Sequence, residues 1–410
     1  MSNVVELDTK TRRRRRSKTA LVLGGGGFTG AVYEIGALRA LDLLSVNRSV
    51  NQFDIYVGTS AGALVAALSA NGITPEQMMR VVNNQAPTPF RDINLDMLLR
   101  PNYREFVGKG IRLPLHLLGV ARNLGRNLGS FSGVDLAIAL ADALPSGLYS
   151  GTGVEEYVRT VLSDPGRSDD FRLLGTELYL AATDLDTCER LVLGAEGWDD
   201  VPISRAVSAS AALPMVYKPV EVKGRELIDG GIVSTTNLDI AVEAGARFIV
   251  VVNPLVPYVN DFSKEIPTLL GTKVRRVSDM GFPKIAYQTF KLLAYQRLHE
   301  MASQWQERYP GVDIVLIEPE PDDEMMFQTN ILNYTSRLDV ARHGFQSVTV
   351  KLASDYEDLR EVAQRHGIEI SATRVRKVVR HFEAEKEKSR AWRRILEQTT
   401  GALLRQSAAE

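Results

Sequence analysis

Ser60 sits between two glycines in Gly58-Thr59-Ser60-Ala61-Gly62, where an apolar run, FDIYVGTS, gives way to an alanine-rich one, AGALVAALSA. A serine at the turn from a strand into a helix has the placing of a nucleophile elbow, and the helix N-terminus behind it favours a developing oxyanion. Glycines at 58 and 62 keep side chains out of a turn that passes close to neighbouring backbone. The GxSxG pattern is loose, so a small residue at a tight bend remains the plain alternative. Two further strand ends carry candidate chemistry. Gly24 to Gly30, GGGGFTG, follows the first strand, and the N–H groups of Gly25, Gly26 and Gly27 suit an oxyanion hole beside Ser60. The same run satisfies G-x-G-x-x-G through Gly25, Gly27 and Gly30, but a dinucleotide site wants an acid at the end of the second strand. Here Asp54 begins that strand and GTSAG ends it. Asp229-Gly230-Gly231, in RELIDGGIVSTTNLDIAV, is on its own a turn signal; opposite a serine with no evident histidine partner, Asp229 is the candidate base. His343 and His366 stay open as alternatives.

An aspartate can do this work if its surroundings help. Its unperturbed pKa of about 3.9 lies roughly 2.6 units below that of histidine, a deficit of ~3.5 kcal/mol. One oxyanion donor contributes about 2.7–4 kcal/mol, so two or three glycine amides offset the weaker base, and burial would narrow the gap by raising the carboxyl pKa.

The elements that must position these residues read as α/β. TALVLGG, FDIYVGTS and RFIVVVNP are short continuous apolar runs separated by helical periodicity, the pattern of a mainly parallel sheet covered on both faces. ELYLAATDL and ERLVLGA read as paired strands and ISRAVSASAAL as a helix. Residues 1–18 read as a basic tail, 19–255 as the catalytic domain with an insertion at about 85–150, and 256–410 as a mostly helical extension. In that extension a long helix is expected around 270–308, a strand at VDIVLIEP, and helices near 335–352, 356–366 and 372–404.

Composition narrows the class. The 410 residues are 44% hydrophobic and 24% charged, enough to bury a large core. One cysteine, Cys188, excludes an intramolecular disulfide, and histidines at 116, 299, 343, 366 and 381 form no spacing that suits a structural metal. The net charge of −1 is uneven: residues 1–20 and 371–410 each carry +5 around an acidic body. Such ends suit an anionic membrane surface, or simply solvent. IRLPLHLLGVARNLGRNL, residues 111–128, has the mix of leucines and arginines of a segment lying in a membrane interface, or of an ordinary lid helix. Four consecutive glycines break the signal-like run after Arg12–Arg16, and no stretch approaches the roughly 18 apolar residues of a membrane-spanning helix. The expected location is the cytoplasm, with peripheral membrane contact. No nucleic acid partner is expected, and the oligomeric state is left open.

Taken in this order, the three chemical segments resemble the patatin-like phospholipase family. LVLGGGGFTGAVYEIGALRAL is similar to its glycine-rich oxyanion segment, GTSAG to its nucleophile motif and DGG to its acid motif. ASAALP at 209–214 is similar to its helix-to-proline motif, and ATDLDTCERLVL to its central hairpin; the resemblance covers residues 19–255. It implies a three-layer α/β/α core, a Ser60–Asp229 dyad, hydrolysis of lipid acyl esters of phospholipase, lysophospholipase or carboxylesterase type, and no cofactor. Two positions depart from the pattern. Thr29 stands where the family usually has arginine, and Leu238 where a proline commonly follows the asparagine. Losing a fixed positive charge bears on phosphate-headgroup preference more than on acyl hydrolysis. Two other readings compete: a malonyl-type acyltransferase, which would want a histidine near Ser60 and an arginine for the acyl carboxylate, and a non-catalytic lipid- or partner-binding protein on the same fold.

Overall fold

Eight strands make one sheet in the computed structural model, which describes residues 17–83, 98–108, 144–263, 266–267, 273–328, 336–382 and 384. The basic tail through residue 16, most of the 85–150 insertion with the 111–128 segment, and most of the expected helix 372–404 lie outside the described residues. The strands are β1 (Thr19–Leu23), β2 (Ile55–Thr59), β3 (Glu177–Asp184), β4 (Arg190–Leu193), β5 (Val220–Val222), β6 (Arg225–Asp229), β7 (Phe248–Val252) and β8 (Asp313–Ile317). Their order is β8-β7-β1-β2-β3-β6-β5, with β4 also paired to β3. Strands β8, β7, β1, β2 and β3 run parallel to one another; β4 and β6 pair antiparallel with β3, and β5 antiparallel with β6.

Both faces of the sheet are covered, which is why its strands read as unbroken apolar runs. On β1, Leu21 and Leu23 turn to one core cluster and Ala20 and Val22 to another. The first cluster gathers residues of α1 (Gly27–Leu44), α2 (Ala61–Ala70), α3 (Pro75–Val82), α4 (Thr152–Leu162), α5 (Ile203–Ser210), α8 (Arg337–Ser354) and α9 (Tyr356–Arg365). The second gathers α6 (Leu238–Glu243) and α7 (Phe282–Ser303). The result is the three-layer α/β/α arrangement. The chain beyond residue 256 takes part in it: β8 pairs with β7, and α8 packs along α1. At that crossing the helices meet through glycine; a Cβ on Gly36 would lie 2.5 Å from the Ala341 carbonyl oxygen. The helix expected around 270–308 is shorter, Phe282–Ser303, because Gly281 at φ 82° and Pro283 in the first turn set its start.

The register of β3 carries the functional consequence. Leu180 and Ala181 pair with β2 on one edge and with β4 on the other. Ala182 and Thr183 pair with β4 and with β6, so β6 must lie on the edge that β2 occupies. β2 reaches Thr59 opposite Ala181, and β6, running the other way, reaches Asp229 opposite Ala182. The two strands abut end to end, and the residues at their ends, 60 and 229, are thereby brought together.

Candidate active site

Between the end of β2 at Thr59 and the start of α2 at Ala61, Ser60 is the whole of the turn. Its backbone, at φ 57° and ψ −121°, is one that L-residues adopt only under constraint, at a cost of about 1–3 kcal/mol. Two hydrogen bonds hold it: the Ser60 N–H donates to Ser210 Oγ at 3.0 Å, and the Gly62 N–H donates to the Gly24 carbonyl at 3.1 Å. Gly62 is required by close approach, since a Cβ there would meet the carbonyl oxygens of Leu23 and Gly24 at 2.4 and 2.5 Å. Gly62→Ala must push α2 off the first strand and is expected to destabilise the fold by about 3 kcal/mol or more, read as a lowered urea midpoint.

Ser60 Oγ donates to Asp229 Oδ2 at 2.5 Å. The other carboxylate oxygen accepts the Gly231 amide at 2.7 Å, in the single turn that Gly230 and Gly231 open after β6. Asp229 is 2% exposed and Ser60 9%. Burial pushes the Asp229 carboxyl from its ordinary 3.8 up to about 6, against the opposing pull of the hydrogen bonds from Ser60 and Gly231. The serine and aspartate singled out in the sequence are therefore in direct contact.

The glycine loop passes over the same hydroxyl: a Cβ on Gly25 would lie 3.3 Å from Ser60 Cβ. One part of the expected oxyanion hole differs. The Gly25 N–H donates to the Thr235 carbonyl at 3.1 Å, so that amide is already engaged. Gly26 and Gly27 sit where α1 begins, the position at which helix N–H groups have no intrahelical acceptor. Gly30, one turn on, donates to the Gly26 carbonyl.

The roles of several supporting residues carry no local mark in the sequence. Asn237, fully buried, donates through Nδ2 to Thr59 Oγ1 at 2.9 Å and to the Ser234 carbonyl at 2.7 Å, and accepts from Arg190 at 3.0 Å. Arg190 also pairs with Asp239 at 2.6 Å. The residue before the nucleophile is thus tied to the loop that follows the acid. Arg297 of α7 donates to the carbonyls of Ile232 and Val233, at 3.2 and 2.7 Å, fastening that loop from outside.

The alternative bases lie elsewhere. His366 contacts Asp313 at 2.7 Å and stacks on Phe248, the first residues of β8 and β7, at the end of the parallel sheet opposite Ser60. His343 contacts Asp323 and His299 contacts Glu318. Among the described residues no histidine lines the cavity at Ser60, and no group of three or more His, Cys, Asp or Glu could hold a metal ion. Likewise, none of the described helices is long and apolar enough to cross a membrane.

That cavity has a volume of about 410 Å³. Ser60, Asp229 and Gly25–Gly27 lie in its wall, with Leu64, Val154, Tyr157, Val207, Leu213 and Phe290 among the apolar residues around them. Met215, 81% exposed at φ 68°, and Ile232, 39% exposed, line it where it opens to solvent.

A probable lipid hydrolase of Invertebrate iridescent virus 6 is 24% identical over 229 residues, 54% of this chain and 63% of its own. The uncharacterized protein YqhO of Bacillus subtilis is 26% identical over 227 residues, 52% of this chain and 63% of its own. The chain thus spans less than two thirds of the length of either relative. The crystal structure of VipD from Legionella pneumophila aligns with 83% of this chain and 67% of its own, at a TM-score of 0.36 and 14% identity. The model of the patatin-like phospholipase family matches residues 21–242. That match runs from the first strand, through elbow and acid loop, into α6 and takes in more than half of the 410 residues: the chain belongs to the patatin-like phospholipase family.

Proposed function

We propose that the protein is a serine lipid acyl hydrolase, with Ser60 as nucleophile and Asp229 as its base. The observation that carries this reading is the 2.5 Å contact between Ser60 Oγ and a buried carboxylate, set in an apolar cavity. Asp229 Oδ2 takes the hydroxyl proton as Ser60 Oγ bonds to the ester carbonyl carbon. The Gly26 and Gly27 amides receive the oxyanion; Gly25, whose amide is bonded to Thr235, supports the loop instead. The leaving alcohol departs with the proton, and a water that gives its own proton to the same carboxylate releases the fatty acid. With a carboxyl pKa of about 6, the deficit against histidine shrinks to about half a unit, ~0.7 kcal/mol, less than one oxyanion donor supplies.

The acyl chain is the part of a lipid that the cavity suits, and the exposed Met215 and Ile232 at its opening suit delivery from a lipid surface. A malonyl-type acyltransferase would need a cation for the acyl carboxylate, and among the described residues no Arg or Lys lines the cavity. The test is a p-nitrophenyl ester series of increasing chain length. Long-chain esters should be preferred, and Val154→Trp, which fills part of the cavity, is expected to lower kcat/KM for a palmitoyl ester by about tenfold or more while sparing the butyryl ester. Equal losses on both would show that the chain lies elsewhere.

A further inference from the structure

We propose that the turn ending α5 is the clamp that sets the Ser60–Asp229 distance, with Ser210 as its positioning residue; the proposal rests on the hydrolase reading of this site. Ser210 is fully buried and spends both hydrogen-bonding capacities of its hydroxyl on backbone. It accepts the Ser60 N–H at 3.0 Å and donates to the Ala181 carbonyl at 2.6 Å. Two residues on, the Ala212 carbonyl accepts the Asp229 N–H at 3.0 Å. One short turn therefore grips the amide of the nucleophile through residue 210 and the amide of the acid through residue 212.

The sheet alone does not do this. The last rung of β2 is Thr59 against Ala181, and the last rung of β6 is Asp229 against Ala182. Ser60 lies beyond the ladder, in a strained conformation, where two strand ends abut without pairing to each other. The Ser210 hydroxyl occupies that seam and ties Ser60 to Ala181. Size does not explain a serine here, because alanine fills the neighbouring buried positions 206, 209 and 212. The hydroxyl is what the position uses. The same segment continues into the cavity wall through Ala211, Leu213 and Pro214, so the clamp also faces the acyl chain.

Ser210→Ala leaves the cavity intact but removes the acceptor of the Ser60 amide. On a soluble p-nitrophenyl ester, kcat is expected to fall about 10- to 100-fold with KM within about twofold. Fluorophosphonate labelling should slow in step. As the contact with Ser60 loosens, Asp229 loses a bond that holds its pKa down, so the acid limb of kcat should move to higher pH. Ser210→Thr, which keeps the hydroxyl, should recover most of kcat. A Ser210→Ala enzyme that unfolds more easily but turns over and titrates like the wild type, per folded molecule, would overturn the proposal and leave Ser210 a structural residue. Should Ser210→Ala not fold, wild-type amide exchange decides. The Ser60 N–H should be protected like the β2 core amides without substrate; exchange at the rate of a solvent-facing amide would refute the clamp. That readout needs no turnover, so it is independent of the hydrolase reading, which fails instead if the wild type neither cleaves esters nor takes the probe.

Discussion

Ser60→Ala is expected to lower kcat/KM for p-nitrophenyl esters by about 10⁴- to 10⁶-fold and to abolish fluorophosphonate labelling. Removing the hydroxyl removes the atom that would bond to the acyl carbon, and nothing adjacent can take its place. Among the described residues, the cavity wall holds no cysteine, lysine or histidine, and the nearest polar neighbour of Ser60 is the carboxylate itself. What should persist is the fraction of rate enhancement due to the glycine amides and to binding, roughly 10³-fold over water. The fold should survive, because the two bonds that hold the elbow use the backbone amides of residues 60 and 62, which alanine keeps. Asp229 Oδ2, however, would lose its donor inside the protein, so its pKa should climb further, and the thermal midpoint of the variant should depend on pH more steeply than that of the wild type. Labelling that survives in a folded Ser60→Ala protein would defeat the nucleophile assignment.

How much of this could be read from the chain depends on whether the controlling interaction is local. β1, β2 and β7 were legible because burial on both faces makes TALVL, IYVGT and FIVVV continuous apolar runs. Ser60 and Asp229 were legible because each ends a strand and is flanked by the glycines such turns need. Their meeting was not. It follows from the register of β3, which aligns residues 59 and 229 with neighbouring positions, and register is a property of pairing between distant segments. Ser210 and Asn237 were hidden for the same reason. The hydroxyl of Ser210 serves an amide 150 residues away, and the amide of Asn237 a hydroxyl 178 residues away, while in the sequence ASAALP and the asparagine before Leu238 are marked only by resemblance to family motifs, which does not say what either side chain holds. Gly25 shows the converse. A run of four glycines offers four similar amides, and only the approach of the Val252 carbonyl to Gly24 and of the Thr235 carbonyl to Gly25 distinguishes the two that are occupied.

Asp229→Asn is expected to lower turnover by about 10³- to 10⁴-fold while making the protein more stable at neutral pH. In the native state the carboxyl takes its proton near pH 6, and in the unfolded chain near 3.8. Between those values the folded state binds the extra proton, so wild-type stability falls as pH rises through this window and levels off above it. A difference of about two pKa units corresponds to about 3 kcal/mol, the upper bound on what the ionised, buried carboxylate takes from stability at pH 8. Asparagine carries no charge, keeps an acceptor for the Gly231 amide and is nearly isosteric. Variant and wild type should therefore unfold at similar urea midpoints near pH 4 and diverge toward pH 8, the variant being the more stable by about 1–3 kcal/mol. Over the same range, kcat/KM of the wild type should fall with unit slope below pH about 6, as the base is protonated, and this limb should vanish from the residual activity of Asp229→Asn. An acid limb near pH 4, or a variant less stable than wild type at pH 8, would mean that the carboxylate is solvated and too weak a base for the role. Both effects share one cause: the dry surroundings that lift an aspartate toward the basicity of histidine are the same surroundings that make its charge unfavourable, so the site gains its base only where the fold can bear an ionised group out of water.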